Sequence, residues 1–179
     1  MQYREYHPPH IYFEKQIYFL TVRCLEGEFY FEGKQKLILK ILNEIIKKFN
    51  YGAYAWVVLK NHLHLLLRVE KDFKKFGKNL NGRISFEINQ LDGVRGRKVI
   101  YQYWDHCIRD EADFWTHFNY THQNPVKHGL CKNLTEAFDY PFSSAKQWKA
   151  LKGEQWLFEC FSRYPVVDFT DRDEEDSSL

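Results

Sequence analysis

Hydrophobic and polar residues alternate or recur in a set of short runs that predict the secondary structure. Gln16–Arg23 (QIYFLTVR) alternates, with Tyr18, Leu20 and Val22 on one face, and predicts a first strand. Between Gly33 and Phe49, residues Leu37, Ile38, Ile41, Leu42, Ile45 and Ile46 fall three and four apart, the period of a helix with one apolar side. Gly52 is the expected left-handed residue that ends it. Ala53–Leu59 and His62–Val69 read as two strands joined by a tight turn at Lys60-Asn61. Asp72–Gln90 predicts a second helix, capped by Asp72, with Phe73, Phe76, Leu80, Ile84 and Ile88 inward. Leu91–Arg97 is a turn-rich basic loop, and Val99–Ile108 a fourth strand. Asp110 caps a third helix that reaches about Gln123, with Pro125 expected to end it. From Asn133 onward the pattern predicts short aromatic-rich helices or turns, then a disordered acidic tail.

The order β-α-β-β-α-β followed by a helix predicts an α+β, ferredoxin-like split βαβ fold. Its antiparallel sheet carries the first two helices on one face, and the added helix carries Tyr120. With 179 residues, one main domain is expected over 16–150. An irregular arm (1–15, containing Pro8-Pro9) precedes it, and a C-terminal extension (151–179) follows. No apolar run approaches the roughly 20 residues of a membrane span. The polar N-terminus does not read as a signal peptide, and the four cysteines form no C-x-x-C pair, so reduced thiols in a cytosol are expected.

Composition adds a functional direction. Aromatic residues make up 18% of the chain, and the net charge of +2 hides an asymmetry. The last twelve residues hold six acids and one base, leaving 25 bases against 18 acids, or +7, over residues 1–167. A basic, aromatic body suits phosphates and stacked bases, although a solvated acidic tail on a basic domain also occurs without nucleic acid.

Candidate chemistry centres on His62-Leu63-His64. Residues i and i+2 of a strand face the same way, so the two imidazoles project together from an otherwise apolar strand. They form either a hydrogen-bonded pair or the start of a divalent-metal site. On the third helix, Tyr120 shares a face with Asn124, four residues on, and with His117, three residues back. A tyrosine aimed at two histidines is a candidate metal-assisted nucleophile, because a phenol of pKa about 10 needs an activated electrophile.

NHLHLLL (Asn61–Leu67) resembles the HUH motif of single-tyrosine transposases, in which two histidines flank one hydrophobic residue. YWDHCIRDEADF (Tyr103–Phe114), followed by YTHQNPVKHGL (Tyr120–Leu130), resembles the REP-associated tyrosine transposase branch. The resemblance covers roughly Gln16 to Ser144; Thr121 and Leu59-Lys60 depart from the family's usual aliphatic and Met-Pro. It implies metal binding by His62 and His64 and nucleophilic attack by Tyr120. It also implies a polar third ligand at Asn124, with His122 as competitor. A residue two along a helix lies about 200° away, which favours Asn124. The implied reaction is cleavage and rejoining of single-stranded DNA at a hairpin-flanked site through a 5′-phosphotyrosine. Two imidazoles, an amide oxygen and water suit Mg²⁺ or Mn²⁺.

For DNA binding, the expected residues are Arg95, Arg97 and Lys98 in the basic loop, with Lys127 and His128 beyond Pro125. Trp56 and Trp104 are expected in the core, and Asp105 and His106 as structural groups. The expected setting is a bacterial cytosol, nucleoid-associated, with the protein a monomer or homodimer. Alternatives are a replication-initiator-like nuclease, a domesticated non-catalytic nucleic-acid-binding module on the same fold, and a structural protein with an incidental histidine pair.

Overall fold

A computed structural model describes residues 12–166, so the acidic tail and the first eleven residues of the expected N-terminal arm lie outside the described residues. The elements are β1 (Ile17–Cys24), α1 (Gln35–Phe49), β2 (Gly52–Val58), β3 (His62–Arg68), α2 (Phe73–Leu91), β4 (Ile100–Cys107), α3 (Glu111–Lys127), α4 (Leu134–Phe138), α5 (Ala145–Lys152) and α6 (Glu154–Arg163). The four strands form one sheet in the order β2-β3-β1-β4, with every neighbouring pair antiparallel. This is the α+β split βαβ arrangement.

Helices pack on both faces of the sheet. Tyr18, Leu20, Val22, Leu63, Leu65 and Leu67 join Ile38, Ile41 and Leu42 of α1 and Phe76, Leu80 and Ile84 of α2 in one core. The opposite face sends Phe19, Ala55 and Leu66 into a second core with Phe118 and Tyr120 of α3, Phe138 of α4, and Leu157 and Phe161 of α6. Strand β3 lies between the two, and His62 through Leu67 are all buried, which explains its unbroken apolar run. No helix among the described residues is long and apolar enough to cross a membrane.

Several local expectations are corrected. The left-handed residue ending α1 is Asn50 (φ 55°), whose N–H caps the last turn, while Gly52 opens β2. Asp72 precedes α2 but adopts φ 60°, and its side chain makes no capping bond. Helix α3 does not end before Pro125; it runs through the proline to Lys127. A proline near a helix end removes one backbone N–H, and here the helix continues to its C-cap, where His128 N–H bonds to Asn124 O (3.0 Å). Burial of Phe118, Tyr120, His122, Asn124 and Pro125 on one helix outweighs that loss. Helix α5 spans residue 150, and Leu157 and Phe161 of α6 lie in the second core. Trp104 is 41% exposed rather than in the core: α3 packs on β2 and β3, and β4 lies at the far edge.

Candidate active site

His62 and His64 stand on the α3 side of β3, with ring centroids 4.9 Å apart at 76°. Each ring is held from behind through Nδ1, by Asn61 Oδ1 for His62 (2.7 Å) and by Thr21 Oγ1 for His64 (2.8 Å). An amide oxygen only accepts, so His62 carries its proton on Nδ1 and its lone pair on Nε2. His64 Nε2 is buried without a hydrogen-bond partner, and so is Asn124 Oδ1. The amide nitrogen of Asn124 donates back to Tyr120 O (2.8 Å). A buried donor or acceptor without a partner costs about 1–3 kcal/mol. Two of them beside His62 make a donor set that fits a divalent cation, with the hydrogen bonds to Nδ1 acting as the outer support that metal-binding imidazoles use.

Burial lowers the pKa of His62 to about 3, helped by the nearby His128 and Arg23 and opposed by Asn124. Burial likewise drives His64 well below the ordinary value, with His62 the next cause. Both rings are therefore neutral at pH 7, the form that ligates metal.

Tyr120 reaches this site from α3. Its ring centroid lies 5.2 Å from His64 and 6.0 Å from Phe19, and Lys127 Nζ stands 5.4 Å from the ring centroid. The His128 ring lies 4.8 Å from His62. The tyrosine is only 4% exposed. His62, His64, Tyr120, Asn124, Lys127 and His128 thus converge. His122 turns to the second core, where its Nε2 meets Ser144 Oγ at 2.7 Å and its ring lies 4.3 Å from Phe118.

The basic loop is divided in its use. Arg97 donates to Asn89 Oδ1 (2.9 Å) and Asp92 Oδ2 (2.5 Å), and its guanidinium lies 4.3 Å from the Tyr30 ring centroid, so it braces the loop. Lys98 lies 4.9 Å from the Tyr101 ring centroid, and Arg95 is exposed. The loop leads into β4 at Ile100, opposite Cys24 and next to the Arg23–His62 pair, which places it at the same end of the sheet as the histidines.

A second histidine group was not singled out by sequence reasoning as a cluster. His106, Asp113 and His117 hold ligand-type atoms within 4.8 Å of one another. Asp113 Oδ2 accepts from His106 Nε2 (2.8 Å), Arg109 N–H (2.9 Å) and Arg109 Nε (3.3 Å). His117 Nδ1 donates to Asp113 O (2.8 Å) and lies 3.0 Å from Asp113 Oδ1. Burial raises the Asp113 pKa, but the Arg109 N–H and the two imidazoles outweigh it and leave the carboxyl below its ordinary value. These bonds satisfy the carboxylate without a cation, so the trio acts as a strut that fixes α3 to β4. The four-residue spacing of Asp113 and His117 is the only trace of it in the sequence.

No family model matches the chain. Over 95 residues it is 34% identical to a REP-associated tyrosine transposase of Escherichia coli (strain K12), covering 50% of this chain and 52% of that protein. Over 106 residues it is 27% identical to a Haemophilus influenzae protein named for the same family, covering 52% and 58%. The chain spans about half the length of the curated relatives it matches. Its fold matches a REP-associated tyrosine transposase solved bound to a REP hairpin, with a TM-score of 0.71 at 24% identity over 92% of this chain and 95% of that one. The chain thus has homologues among the REP-associated tyrosine transposases.

Proposed function

We propose that this chain cleaves and rejoins single-stranded DNA at hairpin-flanked sites through a covalent 5′-phosphotyrosine on Tyr120. The observation that carries the reading is the pair of buried polar atoms without a hydrogen-bond partner, His64 Nε2 and Asn124 Oδ1, gathered with His62 beside that tyrosine. His62, His64 and Asn124 would hold Mg²⁺ or Mn²⁺, which supplies orientation and charge neutralisation at a phosphate. The Tyr120 oxygen attacks phosphorus, the phosphorus–3′-oxygen bond breaks, and the leaving oxygen takes a proton to become a free 3′-OH. The phenolic proton passes to water. Rejoining is the reverse attack by a 3′-OH, so the phosphoester is conserved and no nucleotide is consumed. Lys127, with Arg95 and Lys98 at the same end of the sheet, offers positive charge to the backbone, and His128 stands beside His62 as a further polar contact. The kinship with hairpin-associated proteins supports DNA hairpins as the substrate, and a bacterial nucleoid as the setting.

The 4% exposure of Tyr120 favours a second reading, a hairpin-binding module that no longer cuts. One assay separates the two. Single-stranded hairpin oligonucleotides from around the gene are incubated with Mg²⁺ or Mn²⁺, then run on a denaturing gel. The proposal expects a protein–DNA adduct that is lost in Tyr120→Phe and without metal. Retained binding with no adduct from any of these oligonucleotides favours the module.

A further inference from the structure

The geometry points to Trp104 as a stacking platform for one unpaired nucleobase of the strand held at the His62–His64–Tyr120 site. The inference rests on the single-stranded DNA reading above and adds to it a specific binding residue. Trp104 lies mid-strand on β4, in the cross-strand row Val57–His64–Thr21–Trp104. It therefore shares a sheet face with His64, two strand spacings or about 9–10 Å away. That is about three steps of the 3.4 Å rise of a stacked strand.

The indole is 41% exposed, an unusual place for the most costly ring to leave in water. It is also held in one orientation. Its plane stands 9° from that of His106, with centroids 6.1 Å apart, and His106 lies 17° from the plane of His117 at 4.8 Å. Asp113 pins His106 from α3 (2.8 Å). The strut that seats α3, and with it Tyr120, thus also lines up Trp104. A ring kept rigid before binding loses little freedom when a base settles on it. A nucleobase is the occupant that the surroundings favour: the row leads to the candidate phosphate site, and every base presents a π-face of matching size.

The test uses the full chain, with Trp104→Ala and Trp104→Phe. The probe is a DNA hairpin carrying a single-stranded oligothymidylate tail, and a series in which one abasic residue is walked along that tail. Trp104→Ala should weaken binding about ten-fold, and Trp104→Phe by less. One abasic position should weaken the wild-type protein by a similar factor and have no further effect on Trp104→Ala. Quenching of tryptophan fluorescence on DNA binding should fall in Trp104→Phe while binding persists. Wild-type affinity in Trp104→Ala, or abasic and alanine effects that multiply in full at every position, overturns the stacking role alone. Absence of any affinity in the wild-type protein overturns the DNA reading with it.

Discussion

Acidification from pH 7 to pH 5 should remove a large part of the stability of this fold, through histidines that are buried neutral. His62, His64 and His122 are each at most 3% exposed. Burial lowers the pKa of His62 and His122 to about 3 and that of His64 well below the ordinary value. In the unfolded chain each titrates near 6.5. Between those limits the unfolded chain binds protons that the native protein refuses, so stability rises with pH. It is fully present above about pH 6.5 and is lost as pH falls towards the folded values. At pH 5 the loss is about 2 kcal/mol for each of His62 and His122, whose folded values lie near 3, and His64 adds to it in the same direction. A whole domain holds about 5–15 kcal/mol. His117, also lowered by burial, acts in the same direction. Asp92 and Asp113, already lowered, protonate in the native protein only at a lower pH. Urea unfolding at pH 7, 6 and 5 reads the slope directly, and His122→Gln should reduce it by about one proton. A loss of less than about 1 kcal/mol at pH 5 would refute the argument that these rings are held neutral.

Three further outcomes follow from packing and capping, each read by urea unfolding at pH 7. Phe118→Ala empties the centre of the second core and should cost about 3–5 kcal/mol. Asn50→Ala puts a Cβ-bearing residue without a local polar side chain at φ 55° and should cost about 1 kcal/mol, whereas Asn50→Gly should stay within a few tenths. Asp113→Asn removes the charge that Arg109 and His106 bond to and should cost about 1–3 kcal/mol.

The sheet, its two covering helices and the His62–His64 pair were readable because they depend on local periods of two and 3.6 residues. Tyr120 and Asn124 could be placed on one helical face for the same reason. Other features depend on contacts between distant segments. Pro125 argued for a helix end, but the second core gathers residues from both sides of it. Trp104 sits in an apolar strand, yet its exposure depends on which strands α3 covers. His106 became part of a strut only when β4 and α3 met, and His128 came within reach of His62 only because α3 continues past the proline. Asn50 and Gly52 are both able to adopt left-handed backbone, and register decided between them.

The central claim is that His62, His64 and Asn124 form a cation site beside Tyr120. Anomalous diffraction from crystals soaked in Mn²⁺ tests it most directly. The account predicts a manganese peak between the two imidazoles, within coordination distance of Asn124 Oδ1. A peak at His106, Asp113 and His117 alone, or none at either group, would contradict it.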